Sequence, residues 1–315
     1  MALPEFRNEP FTDFSLEANR QAMRQAIAAV EGKLGLELPV VIGGQRIRGL
    51  ETFESRNPSN KHEVVARAPK ATSELVDRAV EAAWRAFPGW KRVPPEVKAA
   101  LFLRAAELLR RRKFEAAAWM VLEVGKNWAE ADADVAEAVD HLEYFAREIL
   151  RYAEGRPTVP HPQEVSYYTY EPLGVVAVIP PWNFPLAIPM GMALGAIAAG
   201  NTVVLKPSSD APATAYLFLE VMEEAGLPAG TLNVVPGSGS VVGDQLVQHP
   251  RVRMVAFTGS REVGCRIYQE AAKVRPGQVW LKRVIAEMGG KNAVVVAEDA
   301  DLEEAVSAAG GSGYG

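Results

Sequence analysis

Five places in the second half of the chain set a glycine or a polar side chain directly after an apolar, β-branched run, and each could do chemistry. Asn183, in Pro180-Pro181-Trp182-Asn183-Phe184-Pro185, follows Val175 to Ile179. Its amide can N-cap a helix that Pro185 opens, or donate to a developing oxyanion, the preorganised donor that acyl chemistry needs. Lys206, in Lys206-Pro207-Ser208-Ser209, ends the run Thr202 to Leu205. A lysine there is either a solvated strand end or a grip on ribose hydroxyls and phosphate. Gly237-Ser238-Gly239-Ser240-Val241-Val242-Gly243 is one residue off the glycine fingerprint of a dinucleotide loop, and no acid stands on a strand end about 20 residues further on. A strand-to-helix turn that needs small residues explains it as well. Phe257-Thr258-Gly259-Ser260 offers amides and hydroxyls to an anion at a helix start, or simply an N-cap from Ser260. Glu287, before Met288-Gly289-Gly290-Lys291, is a general base if partly desolvated and an exposed strand-end acid if not.

The elements that must hold these residues are legible in the periodicity. Residues 16–34 place Leu16, Met23, Ile27, Val30 and Leu34 at helical spacing and stop at Gly35. Residues 38–53 predict a hairpin about Gly43-Gly44. From Thr72 to Leu150 the pattern is almost continuous helix, punctuated at Pro88-Gly89, Pro94-Pro95 and Gly125. Residues 157–173 hold four prolines and the alternating run Val165 to Tyr170, which suits an exposed strand or flap. From Leu173 onward, strand runs at 175–179, 202–205, 232–235, 253–257 and 284–286 alternate with helical stretches at 184–199, 213–225, 241–247 and 263–272. This alternation predicts an α/β fold with a doubly wound parallel sheet. Asn292 to Val296 predicts one more strand, and Ala308 to Gly315 a tail with little reason to hold a fixed shape.

Composition narrows the function classes. With 315 residues, 48% hydrophobic and 23% charged, the chain can bury a substantial core. A net charge of −5 and no arginine stripe argue against nucleic acid or an anionic membrane as partner. The basic run Arg110 to Lys113 reads as the solvated last turn of a helix, favoured by its dipole. Met190 to Ala199 is apolar but too short to span a bilayer, so a buried helix is expected. Met1 to Ala18 is polar and carries acids, unlike a signal peptide. Cys265 is the single cysteine, and the four histidines show no metal-ligand spacing. No metal is expected, a reducing cytoplasmic setting fits, and Cys265 reads as a small packing residue.

The five junctions, in this order and each after a strand, resemble the aldehyde dehydrogenase superfamily, from about Pro39 onward. Three further stretches are similar to its 1-pyrroline-5-carboxylate dehydrogenase (L-glutamate γ-semialdehyde dehydrogenase) branch. They are Phe6 to Pro10, Glu123 to Trp128 continuing through Asp134 to Ala138, and Gln278 to Arg283.

The resemblance implies an N-terminal helical arm (1–35), a Rossmann-like dinucleotide-binding domain (36–156 and 174–288), an oligomerisation flap (157–173) and the beginning of a catalytic domain (289–315). It implies NAD as cofactor, with NADP possible because Ser209 stands where NAD-preferring members often carry an acid; neighbouring Asp210 is the available substitute. Cofactor contacts are expected from Ile179, Pro180, Trp182, Lys206, Ser208, Ser209, Gly239, Gly243, Thr258, Gly259, Ser260, Val263, Met288 and Gly289. Asn183 would donate to the oxyanion of a thiohemiacetal, and Glu287 would activate the water that hydrolyses the thioester. Glu137 and Phe184 would face the amino-acid part of the aldehyde substrate. The full-length parent is expected to form a homo-oligomer. The nucleophilic cysteine is implied beyond Gly315, so these residues by themselves are expected to be inactive.

Overall fold

The computed structural model describes residues 3–314. An extended arm leads into α1 (Glu17–Glu31). Five short strands follow: β1 (Leu36–Glu37), β2 (Val40–Ile42), β3 (Gln45–Ile47), β4 (Thr52–Arg56) and β5 (Val64–Pro69). Helices α2 (Ser73–Trp90), α3 (Pro95–Arg111), α4 (Lys113–Val124) and α5 (Trp128–Ala153) form the helical stretch. The second half alternates β6 (Val175–Ile179), α6 (Ala187–Ala198), β7 (Thr202–Leu205), α7 (Pro212–Glu224), β8 (Leu232–Val234), α8 (Asp244–Gln248), β9 (Val252–Thr258), α9 (Arg261–Ala271), β10 (Arg283–Glu287) and α10 (Leu302–Tyr314).

The main sheet runs β10-β9-β6-β7-β8-β2-β3, and β6 to β10 are mutually parallel. The β2–β3 hairpin adds antiparallel through Val41 opposite Val234. A separate small sheet has the order β1-β5-β4.

Strand β6 is buried along its whole length because it lies between two apolar layers. Side chains alternate between them, as the period of two requires. Val176 and Val178 join Val203, Leu205 and Ala256 in the core shared with α3 to α7. Val175, Ala177 and Ile179 join Val204, Val255 and Phe257 in the core shared with α2, α8 and α9. Two-sided burial explains why these strands read as continuous apolar runs.

The N-terminal arm is tied to α5 by backbone amides donating to carboxylates: Glu9 N–H to Asp140 at 2.6 Å and Thr12 N–H to Asp132 at 2.7 Å. The same helix carries Asp134 and Glu137 toward the strand ends.

Several expectations are corrected. Residues 292–296 form no strand and are exposed. Residues 302–314, including the described part of the tail from Ala308, form α10, because the Asp301 carboxylate accepts from the Glu303 and Glu304 amides and starts a turn of good helix formers. Pro88-Gly89 lies inside α2, whereas Pro94 and the left-handed Gly125 do end segments. The basic run straddles the α3–α4 junction: Arg110 and Arg111 do lie in the last turn of α3 and Arg111 is exposed, but the other three are held in ion pairs. Arg110 pairs with Glu9 and Glu143, Arg112 with Glu115 and Glu220, and Lys113 with Asp132. Residues 157–171 are exposed as expected while Pro172 and Leu173 are half-buried, and only isolated bridges form there, Arg156 with Tyr168 and His161 with Glu164.

Gly174, at the entry to β6, has φ +132°, and a Cβ there would lie 2.5 Å from the Trp84 ring. Gly174→Ala is expected to lower stability by about 3 kcal/mol through overpacking and backbone strain. A urea midpoint equal to that of the wild-type chain would contradict this packing account.

Candidate active site

The strand order reverses between β6 and β9. From β6 the chain steps outward to β7 and β8, then returns to β9 on the other side of β6. Ligands of open α/β sheets bind at such a reversal, beyond the carboxyl ends of the strands. Ile179 pairs with Phe257, and Glu287 pairs with Thr258 one residue further along β9. Leu205 lies between Val178 and Val234. The five sequence junctions therefore reach one edge of the sheet, and the β6 and β10 ends lie two strand spacings, roughly 10 Å, apart.

The β7 and β8 ends build one half of this edge. Lys206 is buried, not the solvated strand end that its position allowed. Its ammonium donates to the carbonyls of Pro207 at 2.9 Å and Gly237 at 3.3 Å. Burial pulls its pKa down to about 8, and the Asp210 carboxylate opposes that shift. A Cβ on Gly243 would lie 3.8 Å from the lysine stem. Ser208 and Ser209 are half-buried beside it, and the Ser208 hydroxyl accepts from the Asp210 amide at 3.3 Å. Ser238 caps the turn Gly239–Gly243, a π-helical turn that runs into α8, by accepting from the Val241 amide at 3.2 Å. Gly239 is exposed, with open space on its Cβ side.

The β9 end matches this arrangement. The Ser260 hydroxyl accepts from the Val263 amide at 3.3 Å, so it does cap α9. The first amides of a helix have no intrahelical acceptor, and two such helix starts therefore face the same edge with donors for an anion. Thr258 and Gly259 are half-buried, and a Cβ at Gly259 would strike the Phe257 ring at 2.6 Å. Met288 packs on Gly264, where a Cβ would come 2.5 Å from its sulfur. Gly289 is exposed. These residues fit an extended dinucleotide: a buried cation, two capped helix starts and glycines that keep the backbone approachable.

The β6 end is different. Ile179 and Pro180 are buried, while Trp182, Asn183 and Phe184 stand exposed in the turn before α6. The helix starts at Ala187, later than the sequence suggested, and its cap residue Leu186 supplies no side-chain bond. Asn183 therefore does not cap it. The Lys126 ammonium sits 3.6 Å from the centroid of the Phe184 ring and 3.0 Å from Asp134. Asp134 is fully buried and accepts from the Ala187 amide at 2.7 Å. Burial raises its pKa, and Lys126 opposes that. Glu137, one turn along α5, faces His141 at 3.5 Å. Hydrogen bonding to His141 lowers its pKa against the effect of burial, and Lys126 adds to the lowering. Glu137 and Phe184 thus share one neighbourhood. Lys126 and Asp134 belong to it but carry no role in the sequence reading, although both lie in the helix stretch that resembled the family.

Glu287 is exposed at the end of β10, and its carbonyl accepts the Gly259 amide at 3.0 Å. Among the described residues no group of His, Cys, Asp and Glu could hold a metal, and no helix is long and apolar enough to cross a membrane. A groove of about 730 Å³ lies at the opposite, amino edge of β9, lined by Asp77, Glu81, His249 and Arg251, away from these residues.

The aldehyde dehydrogenase family model matches residues 46–315. The chain belongs to the aldehyde dehydrogenase family. It is 54% identical over 310 residues to a 1-pyrroline-5-carboxylate dehydrogenase of Geobacillus thermodenitrificans, covering 98% of this chain and 60% of that protein. A 1-pyrroline-5-carboxylate dehydrogenase from Thermus with bound NAD superposes with a TM-score of 0.90 at 48% identity, covering 92% of this chain and 57% of the other. Proline utilization A from Bdellovibrio bacteriovorus gives a TM-score of 0.91 at 43% identity, over 96% of this chain and 32% of that one.

In this aldehyde dehydrogenase chain Cys265 is exposed on α9, not packed in the core. The buried stripe of that helix is Gly264, Ile267 and Ala271, and Cys265 lies to its side.

The helix after the Lys206 loop, α7, also has no local side-chain cap. Glu123, at the end of α4, takes that place. It is buried and accepts from the Ala213 amide at 2.6 Å, the Thr214 amide at 2.9 Å and the Thr214 hydroxyl at 2.7 Å. The Ser55 hydroxyl holds the same loop by donating to the Asp210 carbonyl at 3.2 Å. Burial pushes Glu123 up to about 7, against the pull of these hydrogen bonds. A raised carboxyl contributes stability that is fully present below its unfolded pKa and is lost as pH rises through the folded one. The stability advantage of the wild-type chain over Glu123→Gln is therefore expected to shrink from about pH 4.5 to about pH 7. Urea midpoints across that range provide the check, and an advantage that grows with pH would contradict the assignment.

Proposed function

We propose that this chain forms the dinucleotide-binding part of an NAD-dependent dehydrogenase that oxidises L-glutamate 5-semialdehyde, the open form of pyrroline-5-carboxylate, to glutamate. The observation that carries this reading is the buried Lys206 ammonium between two capped helix starts at the sheet reversal. The NAD-bound Thermus relative supports the choice of cofactor. The chain spans 60% of the length of its curated relatives, so the remainder of such an enzyme would complete the substrate pocket. On this reading residues 36–156 and 174–288 form the cofactor domain, and 289–315 open the catalytic one. The exposed segment 157–173, with Val159, Val165 and Tyr167, pairs copies of the enzyme.

The residues take distinct roles. Lys206 and Ser208 hold the adenosine ribose, and the amides after Ser238 and Ser260 face the pyrophosphate. Ser209 puts no charge against a ribose phosphate, so NADP is the second ligand to compare. Asn183 donates to the oxygen that gains charge when the aldehyde carbon is attacked. Glu287 accepts a proton from the water that releases the acid product. Glu137 and Phe184 hold the amino-acid end of the substrate. Bound nicotinamide accepts the hydride.

Lys206 is cationic below about pH 8 and loses its charge above it. NAD affinity, read by calorimetry, is expected to fall as pH rises through that value. Lys206→Met should weaken binding about tenfold at pH 7 and flatten the profile, since a charged hydrogen bond is worth about 1.5–3 kcal/mol. Equal affinity in both proteins would remove Lys206 from the cofactor site.

A second reading concerns the 315 residues by themselves: they bind dinucleotide and turn over nothing. It is favoured by Cys265, the one thiol, standing exposed on α9. Steady NAD reduction by this polypeptide with glutamate semialdehyde would refute it. Comparing that substrate with a simple aliphatic aldehyde in the full-length enzyme separates this specificity from another within the family.

A further inference from the structure

Helix starts near the sheet edge are capped in two ways. Ser260, Ser238 and Asn127 each cap their own segment with a local side chain. At α6 the cap residue is the fully buried Leu186, and the acceptor comes instead from Asp134, 53 positions earlier in the chain. Asn183 is the one residue of capping type in the turn between β6 and α6. Among the described residues its side chain has no hydrogen-bond partner, and it stands exposed.

Asp134 holds this turn from both sides. One carboxylate oxygen accepts the Ala187 amide at 2.7 Å, which anchors the start of α6. The other lies 3.0 Å from the Lys126 ammonium, which presses on the Phe184 ring at 3.6 Å. The Asp134 side chain is sealed from solvent and that of Lys126 is only 9% exposed, so the ion pair is little screened. Asn183 adjoins Phe184 and lies a few residues before Ala187.

We infer that Asp134 is a positioning residue for Asn183: by capping α6 from α5 and pinning Phe184 through Lys126, it leaves the Asn183 side chain untethered by the helix start and exposed at the turn. The catalytic consequence rests on the proposed aldehyde oxidation; the capping itself does not. A turn capped by its own asparagine would tie the side-chain oxygen to the helix-start amides and so fix the direction of the Nδ2 donor that the reaction needs. Capping from a distant helix separates the two tasks.

Two measurements test this. Amide hydrogen exchange on the 315-residue chain reads the cap directly. In Asp134→Ala, exchange at Ala187 should rise about fivefold or more, while Ala213 and Thr214, held by Glu123, stay within about twofold. Asp134→Asn keeps an acceptor for Ala187 and should retain its protection. In the full-length enzyme, Asp134→Ala should lower kcat about 10- to 100-fold with the KM for NAD within about twofold, because a small misplacement of a catalytic donor costs rate more than cofactor binding. Asp134→Asn should recover part of that loss. If Asp134→Ala does not fold, Asp134→Asn still decides: it should lower kcat about threefold or more at unchanged KM for NAD, since its amide repels Lys126. Unchanged exchange at Ala187 in Asp134→Ala, wild-type kcat in Asp134→Asn, or a KM for NAD that rises in step with the loss of kcat would each overturn the inference. If the full-length wild-type enzyme oxidises no aldehyde, the functional proposal fails, and the exchange pattern still decides the cap.

Discussion

Strand β6 is enclosed on both faces, and that enclosure constrains everything else. Every residue from Val175 to Ile179 is buried, so the strand can offer chemistry only where it ends. The same holds for β7 and β8. Parallel pairing then puts all the carboxyl ends on one edge, and the reversal of order between β6 and β9 parts the loops there. Packing of apolar surface, the dominant favourable term in folding, thereby decides where polar residues can act.

The second constraint is electrostatic. Three ionisable side chains near this edge, Glu123, Asp134 and Lys206, lie out of water, where an isolated charge costs several kcal/mol. Each is met by groups of opposite polarity. Helix-start amides bind Glu123 and Asp134, Lys126 adds its charge to Asp134, and two carbonyls accept from Lys206. A helix start carries partial positive charge, so a carboxylate from a neighbouring helix satisfies both partners. The helical layer is in this way more than a cover for the sheet. Its buried acids fix the first turns of α6 and α7, and with them the loops that carry Asn183 and Lys206.

The opposite flank of the sheet is open. Strand β10 alternates exposed and half-buried residues, with Ile285 and Glu287 on the exposed face. Val294, Val295 and Leu302 beyond it are also exposed, as is the tyrosine-bearing segment before β6. Apolar surface of this kind is what a further part of an enzyme, or another copy of it, covers. The contrast with fully enclosed β6 sets a graded environment across the edge, dry at Lys206 and wet at Glu287.

What the sequence by itself determined was the alternation of strands and helices and the placing of five polar junctions at strand ends. Those are local signals: β-branched runs, glycine turns and serine caps declare themselves within a few residues. It also placed Glu137 and Phe184 together through family likeness. It misjudged the surroundings of Arg110, Arg112 and Lys113, the setting of Cys265 and the segments at 292–296 and 308–314. In the basic run the partners are distant in sequence, Arg110 meeting Glu9 and Arg112 meeting Glu220. The other errors turned on which face of a helix is covered and on a local Asp301 cap outweighing a glycine-rich end. Only the tertiary structure decided that Lys206 is buried, that Asn183 is not a cap, and that Glu123 and Asp134 serve helices 90 and 53 positions away. A charge in a helix stretch looks the same in sequence whether it faces water or the first amide of another helix, because that choice is made by packing between elements and not by neighbours along the chain.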